Sequence, residues 1–203
     1  AHNHQNTAGG GTLDAAAITT QLAYTGSDGK DTYTATDGGS IYGRGGNDVI
    51  TLDATAGNSN DKSDTIIYKS AADVKFADAN SDGKIDAAGG IESITNFMTA
   101  ATAAATTDGA DIIDVSTFAF AGYAGSAVNK GALAVAVDSG NFSMTIADFF
   151  ADAAGDRGVA FGTNGGDTYV FVDANKDGNW DASADLAIKL VGVSDFAQTS
   201  IGF

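Results

Sequence analysis

The sequence predicts a mainly all-β protein: a parallel β-roll that continues into a β-rich C-terminal region with one or two short helices. Three observations carry that reading. A nine-residue pattern, G-x-x-G-x-D-x-U-x with U a large apolar residue, occurs as GSDGKDTYT at 26–34 and as GRGGNDVIT at 43–51. Short β-branched or aromatic runs recur behind aspartate-bearing turns along the rest of the chain. With 27 glycines and no proline, turn formation falls to glycine and prolyl isomerisation is absent from folding.

The elements follow in order. Residues 1–11 read as a small, polar, flexible arm, and 12–24 (TLDAAAITTQLAY) as a short helix or strand. Together 1–24 form an N-terminal arm or linker, 25–118 a calcium-binding repeat region, and 119–203 a β-rich C-terminal region. In the two full units the aspartates are Asp31 and Asp48, and the inward apolar residues Tyr33 and Ile50. Their first glycines lie 17 residues apart, close to two periods, with DGGSIYG (37–43) a degenerate unit between them. In such a repeat the glycine-rich half turns, and its carbonyls and aspartate face a cation shared with the next coil. The D-x-U-x half is a strand whose U side chain points inward. One coil cannot bury its own apolar face, so coils must stack into two parallel sheets.

Half-units follow at KSDTIIY (62–68), TDGADIIDVS (107–116) and GTNGGDTYVFVD (162–173), and LAIKLVGV (186–193) reads as a further strand. Two stretches read as helical. MTAATAAAT (98–106) is rich in Ala and Thr and equally suits an exposed loop. SMTIADFFADAA (143–154) spaces Ile146, Phe149, Phe150 and Ala153 three to four apart behind Ser143 as a cap, an apolar stripe suited to core packing.

A second pattern points to calcium. DANSDGKID (78–86) and DANKDGNWD (173–181) both follow D-x-N-x-D-G-x-x-D. Oxygen-bearing side chains at alternate positions of a tight loop converge on one hard cation, and the glycine permits the bend. The candidate ligands are Asp78, Asn80, Asp82 and Asp86 in the first loop, and Asp173, Asn175, Asp177, Asn179 and Asp181 in the second. The twelfth positions are Gly89 and Ala184, so neither loop has the final bidentate glutamate of an EF-hand. Asp185 substitutes one residue late in the second loop, and Glu92 is a weaker candidate for the first. Strand-like segments flank 173–181, which makes it a β-connecting loop. In the turns, Asp28, Asp31, Gly45, Asn47, Asp48, Asp64, Asp108 and Asp111 are the candidate calcium ligands.

Composition excludes several function classes. The formal charge of −16, from 26 acidic and 10 basic residues, disfavours nucleic acid and anionic membrane as partners. Glu92 is the only glutamate, so the acid is short-armed aspartate suited to turns and metal loops. No cysteine is present for disulfides or thiolate chemistry, and no apolar run is long enough to span a membrane. The N-terminal AHNHQNTAGGG has no apolar h-region. His2 and His4, the only histidines, lie in the expected arm, so no Ser-His-Asp triad or HExxH site can be assembled. GRGGND does not match a nucleotide-binding glycine loop, and the carboxylate pairs sit in turns where metal roles suffice. The expectation is a protein that is not an enzyme.

The nonapeptide units resemble the calcium-binding repeats of the RTX (repeat-in-toxin) family. GIESITNFMTAATAAATTDGADIIDVSTF (90–118) resembles the block that follows those repeats in type I secreted proteins. It departs from that block at Glu92, Asn96 and Val115 and in its long spacer. GGDTYVFVDANKDGNWDASADLAIKLVGVSDF (165–196) is similar to C-terminal segments of RTX exoproteins and of calcium-dependent surface-layer (S-layer) proteins. The resemblance covers about residues 26–203 and implies several bound Ca2+ ions. It implies one-step export by type I machinery, with a signal somewhere in about 150–203, and a place outside the cell or on the bacterial surface. Two roles follow from it: a self-associating S-layer or filament module, or the secretion and folding tail of a larger exoenzyme; a secreted adhesin is a third. The composition agrees, since a chain of charge −16 without disulfides stays unfolded where calcium is scarce.

Overall fold

The computed structural model describes residues 2–5, 9–17, 21–35, 38–53, 62–74, 91–106, 108–120, 127–133 and 145–203. The first calcium-loop pattern, with Asp78, Asn80, Asp82 and Asp86, lies outside the described residues.

Nine short strands open the chain: β1 (His2–Gln5), β2 (Thr12–Asp14), β3 (Leu22–Thr25), β4 (Thr32–Thr34), β5 (Gly39–Tyr42), β6 (Val49–Thr51), β7 (Asp64–Ile67), β8 (Glu92–Thr95) and β9 (Ile112–Asp114). They alternate between two sheets. The odd strands pair side by side in parallel, and so do β2, β4, β6 and β8. The chain therefore winds, each coil giving one strand to each sheet. Residues 2–5, within the stretch expected as a flexible arm, form a strand: β1 pairs with β3 from His2↔Leu22 to Gln5↔Thr25. Backbone pairing needs no apolar side chains, so the polar HNHQ carries no pattern from which to expect a strand.

Each sheet contributes one continuous apolar column. In one, Tyr24, Ile41, Ile66, Ile113 and Ile201 align rung on rung. In the other, Leu13, Tyr33, Ile50, Ile94 and Leu190 do so. All but Leu13 are buried, and Tyr24 stacks on Tyr33 with ring centroids 4.5 Å apart. The predicted U positions, Tyr33 and Ile50, are thus members of the core. Burying each such side chain stabilises the stack by about 1.5–3 kcal/mol.

After β8, Thr99 caps α1 (Ala100–Thr106) by accepting the Thr102 amide at 3.2 Å. The hydroxyls of Thr99 and Thr102 both donate to Asp195, tying the helix to the C-terminal segment. The remaining strands are β10 (Ala127–Ala132), β11 (Thr145–Ile146), β12 (Ala151–Asp152), β13 (Gly155–Asp156), β14 (Val159–Asn164), β15 (Asp167–Val172), β16 (Trp180–Asp181), β17 (Leu186–Val191) and β18 (Ile201–Gly202). β14, β15 and β17 form an antiparallel meander, and β17 then pairs in parallel with β8. β18 returns to the other sheet beside β9.

The outer face of the meander carries a second core of Phe149, Phe150, Tyr169, Phe171 and Trp180. This is where the expected helix gives way over residues 145–154; Ser143, its expected cap, lies outside the described residues. Residues 147–150 turn, Asp148 takes φ +53°, and β11 pairs with β16 instead. Phe149 packs edge-on to Phe171 at 5.0 Å and Phe150 to Phe149 at 5.4 Å, so adjacent aromatics are both buried. Two neighbours on one helix point about 100° apart, and the turn buries both more fully.

Gly43 is a test of how tightly the coils are wound. A Cβ there would collide with the Asp48 carboxylate, whereas one at Gly9 meets nothing within 4 Å. Gly43→Ala is expected to destabilise the fold by about 1–3 kcal/mol and Gly9→Ala to leave it within about 0.5 kcal/mol, read by chemical denaturation.

Candidate functional site

The acidic residues at the turns form two ladders. On one side Asp31, Asp48 and Glu92 stand at equivalent rungs where their strands begin, because Thr32 pairs with Val49 and Val49 with Ser93. On the other, Asp64 and Asp111 do the same, since Thr65 pairs with Ile112. All five are buried, with exposures between 1 % and 4 %.

The ladders share a bonding rule. The Asp31 amide donates to Asp48 Oδ1 at 2.8 Å, and the Asp64 amide donates to Asp111 Oδ1 at 2.8 Å. One coil's aspartate thus caps the backbone of the coil before it. The second oxygen turns to its own loop: Asp31 Oδ2 accepts the Ser27 amide at 2.6 Å, and Asp111 Oδ2 the Met98 amide at 2.7 Å. Glycine is required beneath these carboxylates. A Cβ on Gly26 would come within 2.6 Å of Asp31 Oδ2 and collide with the Gly43 carbonyl. Gly26 and Gly43 occupy equivalent positions, and the next coil has Tyr68 there. Its hydroxyl donates to Glu92 Oε1.

Burial dominates the electrostatics. The Asp48 carboxyl is pushed up to about 7 by burial and further by the charges of Asp31 and Asp73. Burial, with the charge of Asp48 behind it, also raises Glu92 well above the usual carboxylate range. Tyr24 is pushed up to about 12 by burial and then by Asp31 and Asp48.

The loop 173–181 connects β15 through β16 to β17, as a β-connecting loop should. Gly178, at φ +78°, makes its bend. Asp173 is fully buried and accepts the Gly178 amide at 3.0 Å and the Asp177 amide at 3.2 Å. Asp177 accepts the Asn179 amide at 2.8 Å, and Asn175 Nδ2 donates to Asp177 Oδ2 at 3.1 Å. Asp185 closes the loop from the far side, accepting the amides of Ala174 at 2.9 Å and Asp181 at 2.8 Å. Burial lifts Asp173, and burial with the charge of Asp173 lifts Asp185 to about 6.

The predicted ligands thus fall into distinct groups. Asp31, Asp48, Asp64, Asp111, Asp173 and Asp185 are buried beside backbone amides. Gly45 is buried against the Ala72 carbonyl, and Asn47, Asp108, Asn179 and Asp181 are half-buried. Asn175 and Asp177 are exposed. Asp28 points outward, pairing with Arg44 at 3.0 Å, which sets it apart from the Asp31 ladder. Among the described residues no three Asp, Glu or His side chains stand close enough to hold a metal ion as they are. Glu92, a weaker candidate for the loop 78–86, stands in the Asp48 ladder, and Asp73 was outside the predicted ligand set. Glu92 was legible in ESIT, which repeats the acid-x-apolar spacing of DTYT and DVIT; Asp73, on a short 3-10 turn, carried no such signal. Neither the protein-family models nor the curated proteins compared with this chain match it.

The raised carboxyls set a pH dependence. Asp48 and Asp185 sit above the unfolded value near 3.9, so the folded chain binds more protons across that interval. Stability of the metal-free protein is therefore highest near pH 4 and falls as the pH rises to about 7. Thermal melts in chelator across this range are expected to show the fall, and Asp48→Asn to flatten it.

Proposed function

We propose that this chain is a calcium-folded structural module of an exported bacterial surface protein, a β-roll of the repeat-in-toxin kind. The observation that carries the reading is the pair of in-register acid ladders at the turns of a parallel two-sheet stack, each full unit seating its aspartate on a glycine. Buried carboxylates are costly unless a counter-charge or a proton neutralises them. Among the described residues no Lys or Arg forms an ion pair with Asp48, Glu92, Asp173 or Asp185.

The donor chemistry fits calcium, which takes six to eight oxygens in flexible geometry. Asp31 and Asp48, with carbonyls of the turns through Gly45 and Asn47, would hold ions along one row. Asp64, Asp108 and Asp111 would hold them along the other. Asp173, Asn175, Asp177, Asn179, Asp181 and Asp185 would form the loop site, where the amides already bonded to Asp173 and Asp185 keep the oxygens gathered. Bound calcium supplies the positive charge that the ladders lack. At calcium about 100-fold above Kd, each independent site would stabilise the native state by about 2.7 kcal/mol.

Such a module is only marginally stable where calcium is scarce and is clamped where it is plentiful, which suits threading through a type I exporter. With no histidine beyond His2 and His4, the role is structural, in surface-layer or filament assembly and anchoring. The test is circular dichroism during a calcium titration, with magnesium as control. A calcium-specific gain of β signal is expected; a spectrum indifferent to calcium overturns the reading. Trp180 is the only tryptophan and sits inside the loop 173–181, so terbium emission excited at the red edge of tryptophan absorption, where tyrosine does not absorb, reports that site.

A further inference from the structure

Asp48 leaves one carboxylate oxygen without the bond its counterparts make. Asp31 Oδ2 accepts the Ser27 amide, and Asp111 gives one oxygen to the Asp64 amide of the coil before it and the other to the Met98 amide. Asp48 Oδ1 accepts the Asp31 amide, but Oδ2 is buried without any hydrogen-bond partner, in a residue only 2 % exposed. The position matching Ser27, whose hydroxyl also donates to Asp31 Oδ2 at 3.0 Å, is Arg44, and its guanidinium reaches out to Asp28.

The neighbouring rung and turn carry more acid. Glu92 occupies the adjacent rung, with Ser93 N–H bonded to the Asp48 carbonyl at 3.1 Å. Asp73, 4 % exposed, sits in the neighbouring turn and accepts from the amides of Lys69 and Ser70 and from the Tyr42 hydroxyl. The charge of Asp73 acts repulsively on both Asp48 and Glu92. Among the described residues no Lys or Arg forms an ion pair with any of the three. Lys69 is turned to the Tyr42 ring, 4.1 Å from its centroid, and Lys30 offsets Asp48 only from a distance.

A proton relieves one carboxyl at a time. A cation needs no donor–acceptor geometry and satisfies several carboxylates together. The third coil is also rebuilt around this point: where earlier coils pair Gly26 with Asp31 and Gly43 with Asp48, it pairs Tyr68 with Glu92. The longer glutamate reaches further inward than aspartate, and the tyrosine hydroxyl orients it.

We propose that a hard divalent cation binds at this third rung, held by Asp48 Oδ2 and the carboxylates of Glu92 and Asp73. The ion row would then run one coil beyond the last complete glycine–aspartate unit. The inference rests on the calcium reading above and deepens it. The three carboxylates do not yet share a coordination sphere, so binding draws them together. Tyr68 acts as a positioning residue for Glu92.

The test counts calcium ions bound to the full chain by titration calorimetry and equilibrium dialysis, for the wild type, Glu92→Gln and Asp73→Asn. Each variant is expected to bind one ion fewer, with terbium emission sensitised by Trp180 unchanged. In chelator, Glu92→Gln is expected to melt higher than the wild type, since it removes repulsion without removing a bound ion. Tyr68→Phe keeps all three carboxylates and is expected to weaken one ion without changing the count at saturation. If the wild type binds calcium and Glu92→Gln binds the same number with the same affinity, the third-rung site is overturned and the other turns stand. If Glu92→Gln melts lower than the wild type even in chelator, Glu92 is a structural partner of Tyr68 and the site is likewise overturned. No calcium bound by the wild type overturns both readings.

Discussion

Everything in this molecule depends on one repeated contact: a buried aspartate accepting the backbone amide of the coil before it. The bond from the Asp31 amide to Asp48, and its counterpart from Asp64 to Asp111, lock successive coils in register. Register is what matters in a parallel stack, because a slip of one residue would turn every inward side chain outward. The columns of Tyr24, Ile41, Ile66 and Ile113, and of Tyr33, Ile50 and Ile94, exist only while those rungs stay aligned. Glycine is the partner of this contact, since the carboxylate occupies the space a side chain at Gly26 or Gly43 would need.

The same contact makes the stack electrostatically unfinished. Apolar columns favour the wound state, while the acid at each turn resists being taken from water. Asp48 and Glu92 are both pushed upward by burial, and no ion pair relieves either of them among the described residues. The loop 173–181 is different in kind. Its carboxylates already satisfy backbone amides, so its shape is supported by the polypeptide itself, and Trp180 anchors it into the second core. The protein thus combines a preformed oxygen-lined loop with a ladder whose balance is left to its ionic surroundings.

The elements were legible where side-chain pattern and backbone demand coincide. DTYT and DVIT announce strands because the apolar residue alternates with polar neighbours, and DTYVFVD and LAIKLV do so by length and composition. Pattern was silent where pairing is made by backbone alone, as in β1. It misled at 143–154, where apolar spacing suits a helix but the packing of Phe149 and Phe150 with Phe171 and Trp180 requires a turn. Three-to-four spacing reports only that residues will be buried, and tertiary partners choose the backbone that buries them.

Local chemistry is written in the order of the residues: which aspartates follow glycine turns, which apolar residues point inward, and that the acid exceeds the available base. Those are short-range facts, set within a nine-residue unit. Which acids share a rung is settled by the winding of the coils. Glu92 meets Asp48 across a long stretch of chain, Asp73 joins them from a separate turn, and Asp28 is drawn off to Arg44. The reason is that strand registry joins residues by coil and not by distance along the chain. The charge environment of a carboxylate depends on those neighbours.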